Sequence, residues 1–170
     1  ELNLYVFAIA LPLGYWMGTK AATNKDTWID HVVRVLAIMG QCLPQFFIGL
    51  LLMAFLYPRG LMVIDPRWTF QRITGMPTID ALLAVDLKGF VLALKYLIGP
   101  LLTSLLVSTS MQMRVLRSSI LEELNKDYIT TGMSKGLSKE YVEKKYARRN
   151  ALIPFITLTG YWVTGLVSGT

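Results

Sequence analysis

The densest group of chemically active side chains in this sequence lies at residues 114–149, which we call the basic segment. It carries nine basic residues and five acidic ones. The basic residues are Arg114, Arg117, Lys126, Lys135, Lys139, Lys144, Lys145, Arg148 and Arg149. Lysine and arginine bind anionic groups such as phosphates and carboxylates, so the segment could meet nucleic acid, anionic lipid or a partner protein. This pattern indicates binding more than catalysis.

Motifs for nucleotide or metal chemistry do not occur in the sequence. It contains no G-x-x-x-x-G-K-[ST] loop for phosphates and no H-E-x-x-H or cysteine pair for a metal. The single histidine, His31, follows Asp30 at the start of an apolar block, and we interpret it as a helix-start or surface residue. Asp65 and Asp80 are the candidates for a catalytic cluster, and we interpret them as balancing nearby arginines. We predict no catalytic residue, no metal site and no cofactor bound by this chain.

The elements that position the basic segment are apolar blocks. Hydrophobic residues make up 54% of the 170 residues and charged residues only 16%, whereas about 25% is usual in soluble domains. The blocks are long enough to cross a bilayer core of about 30 Å. We therefore predict an all-α, polytopic transmembrane bundle, read as a fragment of a longer chain. Its four predicted spans, the first and last truncated, are 3–18, 35–57, 89–113 and 151–170.

Several residues inside these blocks have specific interpretations. Pro44 should kink the second span and free a carbonyl group. Cys42 is interpreted as a small, buried packing residue. Small polar side chains could line a pathway, but we favour a role in holding helices together. These polar residues are Gln41, Gln45, Thr103, Ser104, Ser108 and Thr109.

The distribution of charge predicts an orientation. The loop 19–34 is mildly basic, the basic segment is strongly basic, and the charges of residues 58–87 cancel. Because positively charged loops stay in the cytoplasm, we place the loop 19–34 and the basic segment on the cytoplasmic side of the membrane and the loop 58–88 on the external side. Orientation in a membrane explains the basic residues better than nucleic-acid binding, since they flank apolar blocks.

The basic segment contains signals for two short helices. Ser119 begins a capping box, which predicts a helix starting at Ile120. Its apolar face would carry residues spaced i, i+3, i+7, namely Leu121, Leu124 and Tyr128. Gly136 should interrupt the chain, and Ser138 should cap a second helix. Helices this short need lipid or protein to cover their apolar faces. From the residues alone, a lipid-bound loop and a docking loop both remain open.

Three submotifs in the basic segment resemble a known pattern. They are R-S-S-I-L-E at 117–122, D-Y-I-T-T-G-M-S-K-G-L at 127–137 and R-N-A-L-I-P at 149–154. In this order and spacing they resemble the cytoplasmic EAA loop of ABC importers, within the dipeptide/oligopeptide/nickel permease family. Weaker similarity extends to 97–103, to Pro44 with Phe46, and to Ala21-Ala22 with Asp30. The sequence departs from the family at Cys42, Gly132 and Tyr146, where serine, alanine and histidine are usual, and Gly132 is expected to loosen the first docking helix.

The resemblance implies a permease subunit of a prokaryotic inner-membrane importer for peptides or nickel. The implied partners are a second, homologous permease subunit, ATP-binding subunits that use the ATP, an extracytoplasmic substrate-binding protein and membrane lipid, with no nucleic acid. The residues implied to dock on the ATPase are Glu122, Asp127, Tyr128, Thr131, Gly132, Lys135, Gly136 and Leu137. Those implied to guide re-entry into the membrane are Arg149, Asn150 and Pro154.

Two other classes of protein are alternatives to the permease subunit of an importer. A secondary carrier or channel would transport its substrate in vesicles that hold no ATPase. A membrane enzyme would need a catalytic cluster at an interface, for which only Asp65 and Asp80 are candidates. The paucity of charged residues inside the predicted spans argues against an ion-coupled relay.

Overall fold

The structure, a computed structural model, describes residues 1–61 and 74–168, with side chains up to residue 164. Within these ranges all regular elements are helical, which confirms the all-α prediction. The helices are α1 (Leu2–Thr23), α2 (Trp28–Cys42), α3 (Gln45–Leu56) with a 3₁₀ turn (Tyr57–Arg59), α4 (Pro77–Leu83), α5 (Leu87–Leu124), α6 (Asp127–Ser134), α7 (Lys139–Val142), a π-helical turn (Glu143–Ala147) and α8 (Arg148–Ser168). The interpretation of Asp65 concerns a residue outside the described ranges.

Two described helices, α1 and α5, are long and apolar enough to cross a membrane, and α2 with α3 makes a third span if the pair counts as one. The second predicted span is broken at Pro44 and not merely kinked. Pro44 has an extended backbone, with φ −59° and ψ 137°, because its ring blocks continuation of the preceding helix. Cys42, at the end of α2, is exposed, so its interpretation as a buried residue was wrong. The predicted span 151–170 extends past the described residues and stays a prediction.

Helix α5 continues well beyond the predicted end of its span. It is 38 residues long and includes Ser119 and Ile120 in its interior, so the prediction of a new helix beginning at Ile120 was wrong. The reason is tertiary packing. Leu116 and Ile120, one turn apart, are both fully buried and hold this part of α5 against neighbouring helices. A capping-box sequence inside such a packed helix has no free helix end to cap.

Contacts divide the chain into two compact units, Glu1–Val6 with Leu43–Leu105, and Phe7–Cys42 with Leu106–Thr170. In the first unit, the backbone N–H of Thr78 donates to the Glu1 carboxylate at 3.3 Å, and the Tyr5 and Thr78 hydroxyls share a hydrogen bond of 2.7 Å. The buried Asp80 carboxylate accepts hydrogen bonds from the backbone N–H groups of Thr74 at 2.7 Å and Gly75 at 3.1 Å. Asp80 thus secures the entry into α4.

Helix α4 ends in a motif that normally contains glycine. The N–H of Asp86 donates to the Ala81 carbonyl at 2.9 Å, and that of Val85 to the Leu82 carbonyl at 3.1 Å, which is the Schellman pattern. Val85 occupies the left-handed position of this motif, with φ +55°, and its side chain is 84% exposed. A β-branched residue is strained in this conformation and gains little packing in return.

We expect Val85→Gly to raise the free energy of unfolding by about 1 kcal/mol, because glycine adopts the left-handed conformation without steric penalty. Thermal unfolding of the purified full-length protein in detergent measures the gain. Val85→Ala is the matched control, since alanine removes the branched side chain but keeps the Cβ atom. An equal gain from alanine would show that backbone strain is not the cause.

The second unit packs α1, α2 and α8 around the later part of α5. One apolar cluster contains Leu116 and Ile120 of α5 with Ala22, Ala151 and Phe155. A second cluster joins residues of α1, α2 and α5, namely Ala21, Val33, Ala37 and Met113. These clusters lie at the base of the basic segment and fix where it leaves the bundle.

Two glutamines of the predicted polar set hold helices together, as we expected. The Gln41 side chain donates to the Ser110 carbonyl at 3.3 Å and accepts from Arg114 at 2.5 Å, which ties α2 to α5. In the first unit, Gln45 donates to the Ser104 hydroxyl at 3.4 Å, which ties α3 to α5. Both glutamines thus make interhelical hydrogen bonds through their side-chain amides.

Candidate functional site

The basic segment begins as the last turns of α5, and its residues 125–147, which contain α6, α7 and the π-helical turn, fold as a helical hairpin on the end of that helix. The chain leaves α5 at Asn125, whose side-chain amide donates to the Leu121 carbonyl at 2.9 Å. Lys126 is extended, with ψ 150°, and α6 begins at Asp127. The single amphipathic helix predicted over this region is therefore two helices. Leu121 packs against the core of the bundle, whereas Tyr128 belongs to the hairpin.

The hairpin has a small apolar core of its own. Ile129 of α6, Val142 of α7 and Ala147 of the π-helical turn are buried together, with Tyr128 packed against them. Gly132 is also buried, and a Cβ atom placed there would lie 3.3 Å from a Val142 methyl group. The glycine therefore lets α6 lie closely against α7. Packing of this kind supplies the support that helices of eight and four residues need.

A polar cluster joins the second and third submotifs. The Tyr128 hydroxyl donates to the Glu123 carboxylate and accepts from the Asn150 side-chain amide at 3.2 Å. The Lys126 ammonium donates to the other Glu123 oxygen at 2.6 Å. Burial and the Glu123 carboxylate both raise the pKa of Tyr128, so its phenol stays protonated and can donate. The cluster connects α5, α6 and α8. Its first and last members, Glu123 and Asn150, lie 27 positions apart in the sequence.

We expect Tyr128→Phe to lower the free energy of unfolding by about 1–2 kcal/mol, because two hydrogen bonds are lost and Glu123 stays partly buried. Thermal unfolding of the purified protein measures the loss. Tyr146→Phe is the matched control, since Tyr146 is exposed and makes no hydrogen bond through its hydroxyl among the described residues. Equal loss in both variants would contradict the role assigned to the Tyr128 hydroxyl.

Gly136 lies at the tip of the hairpin. Its φ is +84°, and a Cβ atom there would meet nothing within 4 Å. The N–H of Gly136 donates to the Met133 carbonyl at 2.9 Å, and that of Leu137 to the Gly132 carbonyl at 3.3 Å, so Gly136 ends α6 in a Schellman motif. The hydroxyl of Ser138 then accepts from the Tyr141 N–H at 3.3 Å, which confirms the predicted cap. The tip is therefore an ordered turn with open space above it.

The chain returns to the bundle through the π-helical turn. An ion pair of 3.0 Å joins Arg148 to Glu143 across this turn. All three predicted re-entry residues, Arg149, Asn150 and Pro154, are exposed on α8. Pro154 has no N–H to donate to the Asn150 carbonyl, which weakens the first turns of α8. This return combines a π-helical turn with a proline, both of which distort helices.

The eight predicted docking residues fall into two groups. Tyr128 and Gly132 face into the hairpin and support its fold. The remaining six are exposed: Glu122, Asp127, Thr131, Lys135, Gly136 and Leu137. Met133, 44% exposed and four residues before Leu137, adds an apolar side chain to this surface that we did not predict. No helical spacing could have shown this, because α6 ends at Ser134 and Leu137 lies beyond it.

Sequence reasoning also missed a contact at the base of the basic segment. The Arg117 side chain donates to both carboxylate oxygens of Asp30, at 2.5 and 2.8 Å. The two residues are 87 positions apart. The available signal was an acidic residue in the first turn of an apolar helix. We had noted Asp30 only as the neighbour of His31 and as part of the weaker family similarity. His31 itself is exposed, and its ring nitrogen lies 3.0 Å from Arg34.

The apolar spanning helices and the ordered basic hairpin together define a class, the multi-pass helical membrane proteins. Comparison with known families then places the chain within it. Residues 10–170 match the family described as binding-protein-dependent transport system inner membrane component. The chain belongs to this family of inner-membrane transport subunits, which are not enzymes.

Individual relatives are similar over the whole of the chain. It is 36% identical to the probable D,D-dipeptide transport system permease protein DdpB of Escherichia coli K12, over 99% of this chain and 52% of that protein. It is 36% identical to the dipeptide transport system permease protein DppB of Haemophilus influenzae, with 99% and 52% covered. A Lactococcus lactis DppB is 32% identical, with 100% and 48% covered. The chain thus spans about half the length of these curated relatives.

Proposed function

We propose that this chain is part of a permease subunit of an ATP-driven peptide importer, and that its basic segment docks on the subunit that hydrolyses ATP. The names of the similar proteins, which are permeases for dipeptides and D,D-dipeptides, support a peptide over nickel as the substrate. In this proposal the loops 19–34 and 114–149 face the cytoplasm. A second permease subunit and an extracytoplasmic binding protein complete the assembly.

The observation that carries the proposal is the exposed tip of an otherwise packed hairpin. Ile129, Val142 and Ala147 give the hairpin its own core, which leaves the side chains around its tip exposed. That surface presents Thr131, Lys135 and Leu137 beside the open turn at Gly136. A short helix with exposed apolar and basic side chains suits a groove on a partner protein. A loop that only lay on lipid would not need an ordered turn with a left-handed glycine.

The structure also suggests how docking would act on the membrane part. The hairpin is attached to α5 on one side and to α8 on the other, and the Glu123–Tyr128–Asn150 cluster joins both attachments. Movement of a bound ATPase would therefore pull on two helices at once. Rigid-body movement of packed helices is a common mode of such transitions. ATP would be bound and hydrolysed by the partner, and this chain would bind none.

Copurification with a tagged ATPase subunit tests the proposal. The variant Lys135→Glu/Leu137→Asp changes two exposed side chains and should reduce copurification by about tenfold or more, since hot-spot residues dominate interfaces. The control, Lys88→Glu/Leu83→Asp, makes the same exchanges at exposed positions in the predicted external part of the chain. Deletion of 120–137 is a poor test because it removes the buried Ile120 and Ile129.

The outcomes separate the two classes of transporter. Equal copurification of the hairpin variant and the control would contradict docking through this surface. Peptide uptake by vesicles that contain the full-length permease but no ATPase would favour the secondary carrier instead. Uptake that needs both the ATPase and ATP, and that the hairpin variant loses, is the expected result.

A further inference from the structure

Asp30 is a fully buried carboxylate at the start of α2. Its side chain is 0% exposed, whereas Arg117 and Arg34 retain 18% and 41% exposure. Arg117 holds both carboxylate oxygens in a fork, at 2.5 and 2.8 Å. Arg34 lies 3.2 Å from one oxygen, and the backbone N–H of Asp26 donates to the same oxygen at 3.1 Å. The charge is thus fully compensated, with the stronger contact coming from α5.

This ion pair lies at one end of a continuous contact between α2 and α5. The buried residues of α2 are Asp30, Val33, Ala37 and Gly40, which share one helix face. Val33 and Ala37 pack against Met113, and Gly40 lies against Ser110. Ascending numbers on α2 meet descending numbers on α5, so the helices run antiparallel. The whole of α2 is therefore held along the part of α5 that leads into the basic segment.

Towards the other end of this contact, hydrogen bonds of Gln41 and Ser110 join the two helices. Between them and Asp30 the contact is made by the apolar residues Val33, Ala37 and Met113, so the Asp30–Arg117 pair is the ionic tie at the end nearest the hairpin. A forked arginine–carboxylate pair favours a single register, because a slip would separate the buried Asp30 from Arg117 and leave it with the weaker contact to Arg34 of its own helix. Its position also matters, since Arg117 lies between Leu116 and Ile120, the buried residues that anchor the base of the basic segment.

We propose that the Asp30–Arg117 pair is the positioning contact through which movement of the basic segment is transmitted to α2. This rests on the proposed function, since the movement originates in the docked ATPase. Docking itself would not depend on the pair, because the exposed tip of the hairpin lies elsewhere. Loss of the pair should therefore uncouple ATP hydrolysis from transport while leaving the ATPase bound.

The experiment uses the complete transporter in proteoliposomes and measures three quantities: ATPase copurification, peptide transported per ATP hydrolysed, and melting temperature. Asp30→Asn and Arg117→Gln should keep copurification but lower the transport-to-hydrolysis ratio by about tenfold or more, as expected for loss of a coupling contact. Arg117→Lys keeps the charge but not the fork, and should be intermediate. Lys20→Gln, which removes an exposed charge at the end of α1 and leaves the contact between α2 and α5 intact, should keep the ratio close to that of the wild type.

The double variant Asp30→Asn/Arg117→Gln separates positioning from stability. Two neutral amides can hydrogen-bond each other, whereas each single variant leaves a charge without its strongest partner, so the melting temperature should recover relative to the single variants. Because the amide pair lacks the rigid fork, the transport-to-hydrolysis ratio should stay low. Recovery of the ratio together with the melting temperature would overturn the proposal, as would a wild-type ratio in folded Asp30→Asn or Arg117→Gln. Failure of the wild-type chain to copurify with the ATPase would contradict the proposed function instead.

Discussion

Gly40→Ala is expected to lower the free energy of unfolding by about 3 kcal/mol. Overpacking of a core typically costs about 1–3 kcal/mol, and we expect the upper end of this range because the added methyl group would clash with backbone atoms of α5. A Cβ atom at Gly40 would overlap the Ser110 hydroxyl, and it would lie 2.7 Å from the Ser110 Cβ and 2.8 Å from the Leu106 carbonyl oxygen. A carbonyl oxygen in a helix cannot turn away as a long side chain can. The helices α2 and α5 must therefore separate to admit a single methyl group.

Thermal unfolding of the purified full-length protein measures this loss. Gly160→Ala is the matched control, because Gly160 is also helical and a Cβ atom there meets nothing within 4 Å. The control should be neutral or stabilising by up to about 1 kcal/mol, the difference in helix propensity between alanine and glycine. Equal melting temperatures for both variants would contradict the close approach of α2 to α5.

Gly136→Val is expected to reduce ATP-coupled transport by about tenfold or more while leaving membrane insertion intact, because a branched side chain would occupy the space that the docked ATPase needs. The cost to folding should be only about 1–2 kcal/mol, the steric penalty of the left-handed conformation. The open surroundings of Gly136 add no clash within the chain. Transport and insertion should therefore separate in this variant.

Gly75→Val is the matched control for backbone strain. Gly75 has φ +79°, close to the +84° of Gly136, and a Cβ atom at either position meets nothing within 4 Å. Both variants should unfold at similarly lowered temperatures, but only Gly136→Val should lose transport. Peptide uptake by proteoliposomes and a membrane-fractionation assay provide the two measurements. Wild-type uptake in Gly136→Val would argue against a tightly docked tip.

Much of the membrane part could be predicted because long apolar blocks have few alternative structures. The helix ends could not. Ser119 carries a capping signal, yet α5 continues through it because Leu116 and Ile120 are buried against residues from distant parts of the chain. At Pro44 the proline was recognised, but whether it bends or ends a helix depends on the packing around it. Local signals were overruled where tertiary contacts were stronger.

The site shows the same division between local and distant information. The submotif 127–137 identified the hairpin and its glycine turn, because turn formation depends on neighbouring residues. The sequence could not show that Tyr128 and Gly132 face inward, since this depends on the return of α7 along α6. The Asp30–Arg117 contact joins residues 87 positions apart, and no local pattern encodes such a pair.

Site-specific photo-crosslinking of the assembled transporter tests the docking of the basic segment most directly. A crosslinking amino acid is placed in turn at Lys135, at Leu137 and, as a control, at Val85, which is exposed in the predicted external part of the chain. Docking of the hairpin predicts strong crosslinks to the ATPase from positions 135 and 137 and none from position 85. Absence of crosslinks from both hairpin positions, in a complex that still hydrolyses ATP and transports peptide, would contradict it.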